Sequence, residues 1–161
     1  MNSGDKVEPF GRDLVFTAKA VREAFEDVMA RAGSSLGIWI VLNAISDEGF
    51  VSHRILASHA HVDGATITYH VDRAEKSGLV QREVDPDDRR VKRLRLTPEG
   101  TRVYKLLSTE ARVFEAQLFA GVSEAEQARL RRTLAKLRAN LDVPSDEAPA
   151  HRRGTATPPR S

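Results

Sequence analysis

The sequence predicts a mainly α-helical fold that carries one small β-hairpin. Three observations predict it. Apolar residues recur at alternating steps of three and four along most of the chain, the spacing of helices with one buried stripe. Only "LVQREV" and "VKRLRL" read as strands, and the short polar stretch "DPDDRR" joins them as a hairpin. Helix punctuation stands where the periodic stretches begin and end: Gly33, Gly78, Thr97-Pro98 and Ser123 with Glu126.

Bulk properties narrow the class. The chain has 161 residues, enough for one domain with tails that buries about two thirds of its unfolded surface. It is 40% hydrophobic and 30% charged, the composition of a soluble globular protein. No apolar run approaches the ~20 residues that span a bilayer. "MNSGDKVEPFGRD" lacks the apolar segment of a signal peptide, so a cytoplasmic location is expected. The absence of cysteine excludes disulfides, thiolate metal sites and any sensor that works by cysteine oxidation. Net charge is only +2, so the distribution of charge carries more information than its sum.

Each element follows in order. Residues 1–11 are polar with Gly and Pro and read as a flexible arm. Leu14, Ala18, Val21, Phe25, Val28 and Ala32 form one stripe on a helix over 12–32, ended by Gly33. "LGIWIVLNAIS", capped by Ser34 or Ser35, is apolar nearly all round and predicts a helix buried on several sides; "DEGF" after it reads as a turn. Ser52 can cap a short helix with Ile55 and Leu56 inward. "AHVDG" is a tight turn, and Asp63 caps the next helix, "GATITYHVDRAEKS", with Ile67, Val71 and Ala74 on one face. After the hairpin of residues 79–96, Leu94 and Leu96 point one way and Arg93 and Arg95 the other. Two helices close the chain, over 97–120 and 123–141, the last with Leu130, Leu134, Leu137 and Leu141 at coiled-coil-like spacing. Residues 142–161 turn to Pro, Ser, Thr, Arg and Gly and read as disordered.

Residues 52–96 therefore read as helix, tight turn, helix and hairpin, a winged helix-turn-helix. The second helix, 63–77, carries Thr66, Thr68, Tyr69 and Arg73 away from its apolar face. A helix of this length fits a DNA major groove, which is ~12 Å wide. Hydroxyls can bond base edges or phosphates, and Thr methyls can touch thymine; Arg73 and Lys76 lie further along, where phosphate is the natural contact. The hairpin packs five basic residues, Arg89, Arg90, Lys92, Arg93 and Arg95, into seven positions. Arginines at a wing tip can enter a narrow minor groove, where negative potential is enhanced. Asp88 stands two residues before Arg90 and can hold it outward by a charge-assisted hydrogen bond.

The stretch from Ser52 to Gly100 resembles the MarR-type transcription regulators. The residues that carry the resemblance are the Leu56-Ala57 pair, "TITYHVDRAEKSGLVQRE" and "DPDDRRVKRLRLTPEG". The D-x-R of the wing, its alternating strand and the following L-T-x-x-G are the most specific part. "SLGIWIVLNAIS" is similar to the helix that precedes the helix-turn-helix in that family, and the outer helices agree in number, order and length over roughly 12–141. The resemblance implies a winged helix-turn-helix core flanked by N- and C-terminal dimerisation helices. It implies a homodimer on a pseudo-palindromic double-stranded DNA operator, with Thr66, Thr68 and Tyr69 facing bases and Arg73 the backbone. Arg90 becomes the wing-tip residue, Asp88 its orienting partner, and Arg89 and Lys92 phosphate contacts; Lys76 and Arg54 complete the DNA-binding set. A small-molecule effector is implied between the dimerisation helices and the helix-turn-helix, making the protein a ligand-responsive repressor. Trp39 and the phenylalanines Phe16, Phe25 and Phe114 are candidates to line that pocket. Two residues depart from the family pattern, Ala74 where leucine is usual and His70 where an aliphatic residue is common.

Other classes are weighed on the same residues. His53, His59, His61 and His70 raise zinc, but no H-x-x-x-H pair lies on one helix face, so no metal ligand is assigned. No nucleophile–base arrangement, phosphate-binding loop or paired carboxylate marks an enzyme, and no cofactor is expected. A winged-helix protein-interaction module and a metal-responsive regulator on the same scaffold remain the alternatives.

Overall fold

A computed structural model describes residues 10–48, 51–52, 56, 64–84 and 92–141. Along the chain these form α1 (Phe10–Arg31), α2 (Leu36–Glu48), β1 (Val51–Ser52), α3 (Gly64–Lys76), β2 (Val80–Val84), β3 (Lys92–Leu96), α4 (Pro98–Leu118) and α5 (Glu124–Asn140). The chain divides into two units, one up to Gly121 and one from Val122.

In the first unit α1 begins at Phe10, so Phe10 and Gly11 are helical rather than part of an arm. Its end is as the sequence predicts. Gly33 adopts φ 77°, its N–H donates to the Ala30 carbonyl (2.9 Å), and the Ser34 N–H donates to the Met29 carbonyl (2.9 Å). That left-handed closure suits glycine. Met29, outside the stripe read from the sequence, is the fully buried residue of α1, while Phe25, Val28 and Ala32 pack beside it. The stripe is thus wider than one row over its last two turns, as a core-facing helix requires.

Ser35 caps α2 by accepting the Ile38 N–H (3.3 Å). Val41, Leu42 and Ile45 are fully buried, so α2 is the central helix. It runs on through Asp47 and Glu48, where the sequence read a turn. Glutamate is a good helix former, and the breaker in "DEGF" is its glycine, so the helix can run on through the Asp-Glu pair.

The sheet is antiparallel, in the order β1-β3-β2. In the hairpin Val80 pairs with Leu96, Arg82 with Leu94 and Val84 with Lys92. β1 is a third strand that the sequence reading missed: Ser52, taken there as a helix cap, lies in β1 opposite Arg93. Two residues are too short to show a period of two. Val80 and Leu94 seal the inner face of the sheet against a core that includes Leu56, Ile67, Val71 and Leu107. The first helix expected in the pair, apart from a buried helical Leu56, lies outside the described residues, as does the capping residue Asp63.

The L-T-P-E-G motif has a direct physical cause. Thr97 caps α4 by accepting the Gly100 N–H (2.9 Å), and Pro98 occupies the first helical turn. The Thr97 hydroxyl donates to the Gly78 carbonyl (2.6 Å) and its N–H to the Leu79 carbonyl (3.0 Å). A Cβ at Gly100 would lie 1.9 Å from the Leu79 carbonyl oxygen, so only glycine lets α4 start there. This knot ties the end of α3, the start of β2 and the start of α4 together.

The second unit is α5. Its capping box is complete: the Ser123 N–H donates to the Glu126 carboxylate (2.9 Å) and the Glu126 N–H to Ser123 Oγ (3.3 Å). The Ser123 hydroxyl, which donates to the Glu126 carboxylate (2.5 Å), and then the Ser123 N–H hold that carboxyl below its ordinary pKa. α5 has no fully buried residue, and Leu130 and Leu141 are exposed. Among the described residues no single helix is long and apolar enough to cross a membrane.

Candidate nucleic-acid interface

α3 is amphipathic in the way its sequence predicts. Ile67, Val71 and Ala74 are 0% exposed and hold the helix on the core. Ala74 fits because the chain turns tightly behind it: the Leu79 N–H donates to the Ala74 carbonyl (3.0 Å) around Gly78, whose φ is 69°. Thr68, Tyr69, Arg73 and Lys76 lie on the outer face, and Tyr69 is 60% exposed. Thr68 donates its hydroxyl proton to the Gly64 carbonyl (2.7 Å), which orients its methyl group. Thr66 is half-buried and lines a groove of about 590 Å³ with Arg22, Ser34, Ser35, His70 and Arg73. It therefore sits at the edge of the presented face rather than at its centre. The cations Arg73 and Lys76 fall in the last turn of α3, where the helix dipole favours positive charge.

His70, the departure noted above, has a specific seat. Its imidazole occupies the notch left by Gly37 on α2, where a Cβ would come within 2.1 Å of the ring. Nδ1 is buried with no hydrogen-bond partner. The Tyr69 ring meets the imidazole edge-on at 5.4 Å. Burial first, and the Arg73 guanidinium second, lower the His70 pKa, so the neutral ring is favoured here.

The wing is more internally paired than a run of arginines suggests. Arg82 of β2 reaches α3, pairing with Asp72 and, at 3.2 Å, with Glu75. Arg95 pairs with Glu83 at 3.5 Å, and Arg93 stands opposite Glu83 in the register. Lys92 opens β3 opposite Val84. Arg54, Asp88, Arg89 and Arg90 lie outside the described residues. The sequence reading counts the basic residues of β3 but not Glu83 of β2 that faces them, nor Asp72 and Glu75 of α3 that face Arg82. It also missed Gly37, Arg82 and Gly100 as position-defining residues. A glycine near the start of an otherwise apolar helix was the one available signal for Gly37.

Of the aromatic residues singled out for a pocket, Phe25, Trp39 and Phe114 come together, whereas Phe16 is exposed and lines neither groove over them. Phe25 lies 6.1 Å from Trp39 and 5.1 Å from Phe114, and Trp39 stacks on Tyr104 at 5.9 Å. One groove of about 550 Å³ runs over Phe25, Trp39 and Phe114 with Val21 and Leu118. A second, of about 740 Å³, lies over Trp39 and Tyr104 and is edged by Asn43, Lys105, Ser108 and Arg112. Ser108 Oγ is buried there without a partner. Among the described residues no three metal-ligating side chains cluster.

A helix fixed by one apolar face, presenting hydroxyls and cations on the other and flanked by an antiparallel strand pair, matches the second helix and wing of a winged helix-turn-helix of the DNA-binding class. The MarR family model matches residues 37–92. The regulator YsmB of Bacillus subtilis is 34% identical over 133 residues, which cover 83% of this chain and 91% of YsmB. The chain belongs to the MarR family, and as such is a DNA-binding transcription regulator rather than an enzyme. The chain spans 56% of the B. subtilis regulator YdgJ and 63% of the Pseudomonas putida repressor IacR, at 30% and 32% identity. Among solved structures, CouR of Rhodococcus jostii RHA1 bound to p-coumaroyl-CoA superposes with TM-score 0.75 at 26% identity, covering 84% of this chain and 95% of CouR. A mutant MarR of E. coli complexed with operator DNA gives 0.73 at 20% identity, covering 85% and 99%, which extends the likeness in fold.

Proposed function

We propose that the chain is a homodimeric, ligand-responsive repressor that binds a pseudo-palindromic operator. Each α3 enters a major groove and each wing an adjacent minor groove. The observation that carries this reading is the outer face of α3, where Tyr69 is 60% exposed beside Thr68, Arg73 and Lys76 over a wholly buried inner face. In this reading Thr66, Thr68 and Tyr69 meet bases, and Arg54, Arg73, Lys76, Arg89 and Lys92 meet phosphates. Arg90 is the wing tip, oriented by Asp88.

Dimerisation is supported by the first half of α1, where Phe10, Val15 and Phe16 are each at least 70% exposed. Large apolar side chains exposed on every side of one helix end mark a segment that is covered by a partner. Leu130 of α5 and Leu141 at its C-cap are exposed at helical spacing, with the half-buried Leu134 and Leu137 between them, and supply a second apolar face. Repression is supported by the relative IacR, and response to a ligand by the structure of CouR with its acyl-CoA. The effector pocket is assigned to the grooves around Phe25, Trp39 and Phe114. A ligand there releases DNA only by binding the DNA-incompetent arrangement more tightly.

The test is selection of bound duplexes from a random library, with Arg90→Ala in parallel. Enrichment of an inverted repeat with half-site centres about 10 bp apart is expected, with weaker enrichment by the variant. Failure to enrich any sequence, with dimerisation intact, favours the protein-interaction module instead.

A further inference from the structure

We propose that Arg82 is a positioning residue for DNA recognition: its guanidinium, reaching from β2 to Asp72 and Glu75 of α3, sets the pose of the wing against the recognition helix. The proposal rests on the reading of α3 and the wing as the two DNA-contacting elements.

Three features carry it. Asp72 and Glu75 are three residues apart on α3, so they project from the same side of the helix. One guanidinium engages both, through Nη2 to Asp72 and Nε to Glu75 (3.2 Å). A planar fork can hold two carboxylates in fixed directions, whereas an ammonium group acts as a single point charge. Lastly, Arg82 stands at the middle of β2, opposite the buried Leu94, so the fork grips the strand pair at its anchored centre. The turn through Gly78 and Leu79 and the shared core of Val71, Ala74, Val80 and Leu94 also join α3 to the hairpin. The turn fixes only the ends of the two elements and apolar packing is non-directional, so the directional fork further along each is what sets the angle between them.

The arrangement also separates the charges of α3 by task. Asp72 and Glu75 are engaged by Arg82, while Arg73 and Lys76 stay on the exposed face. Arg82 is therefore assigned to holding the reading head rather than to touching phosphate.

The experiment compares wild type, Arg82→Gln, Arg82→Lys and the triple variant Arg82→Gln/Asp72→Asn/Glu75→Gln. Each is titrated onto the library-selected duplex and a scrambled duplex across a salt series, with thermal melts of all proteins. Arg82→Gln is expected to lose about tenfold in affinity for the selected duplex, and less for the scrambled one. Its salt slope should match wild type, since no phosphate contact is lost. Arg82→Lys, which keeps the charge, should restore less than half of the loss. The triple variant, which removes the excess acids as well, should recover scrambled-duplex binding but not the preference for the selected site. Wild-type preference in Arg82→Gln would overturn the proposal. A salt slope lower by about one would make Arg82 a phosphate contact and overturn it too. Full recovery in the triple variant would reduce the effect to charge and overturn the positioning role. A wild-type protein with no preference between duplexes would overturn the DNA-reading assignment itself.

Discussion

Replacing Gly37 by alanine should destabilise this protein, although helix propensity alone predicts the reverse. Alanine is favoured over glycine by about 0.8–1 kcal/mol in a helix interior, and by less in the first turn, where Gly37 lies. Here the added Cβ would lie 2.1 Å from Cε1 and Nδ1 of His70 and 2.6 Å from its Cγ. Ordinary contact begins near 3.4 Å, so the two must part by more than an ångström. Rotating the ring does not clear it, because Cγ is on the ring axis and is itself too close. The imidazole must leave its notch or α3 must lift from α2. Overpacking of this kind costs about 1–3 kcal/mol, enough to reverse the propensity gain. Urea denaturation at fixed protomer concentration measures it, because dimerisation would otherwise shift the midpoint. The decisive comparison is a cycle with His70→Ala. The double variant should be more stable than the sum of the singles implies, by about 0.5–3 kcal/mol, because the new methyl occupies the space the ring vacates. A Gly37→Ala protein as stable as wild type, or strict additivity in the cycle, would refute the notch.

Other consequences follow from the same geometry. Gly100→Ala should be more damaging than Gly37→Ala, about 3 kcal/mol or more, since the obstacle is the Leu79 backbone carbonyl at 1.9 Å, which cannot swing aside; thermal melts of the two variants check the order. His70 gives a signed pH effect. Its folded pKa lies below the ordinary 6.5, so its contribution to stability is full above that value and lost as pH falls through 6.5 toward the folded pKa. Melting temperature should therefore drop further between pH 7.5 and about 5.5 in wild type than in His70→Leu; equal drops would count against it. Trp39 is the chain's only tryptophan and borders both aromatic grooves, so any compound that releases DNA should change its emission, and Phe114→Ala should weaken that response.

The parts of the fold that were legible in the sequence are those set by local chemistry. Gly33 and Gly78 need a left-handed backbone, Thr97-Pro98 and Ser123–Glu126 cap helices by short-range hydrogen bonds, and Ile67, Val71 and Ala74 obey the helical period. What was not legible depends on residues distant in sequence. β1 exists because Val51 finds Leu94, and no two-residue pattern announces that. The seat of His70 depends on Gly37, thirty-three positions earlier. The pairing of Arg95 is not visible in its own run because its partner Glu83 lies on the other strand, and that of Arg82 because Asp72 and Glu75 lie on α3. The outer face of α3 was foreseen as a set, yet Thr66 proved to be at its rim because the groove beside α1 and α2 takes in one side of the helix. Phe25, Trp39 and Phe114 are expected together at a pocket, and packing does bring them together.

The central claim is that the outer face of α3 reads DNA sequence. Fluorescence anisotropy tests it most directly, using wild type and Thr68→Ala/Tyr69→Ala on the selected duplex and on a scrambled one across a salt series. Both substitutions lie on the exposed face, so the fold should hold. Wild type should bind the selected duplex at least a thousandfold more tightly than the scrambled one at physiological salt. The variant should lose most of that ratio while keeping the wild-type salt slope, since bases rather than phosphates lose their contacts. A variant that retains the full ratio would contradict the account.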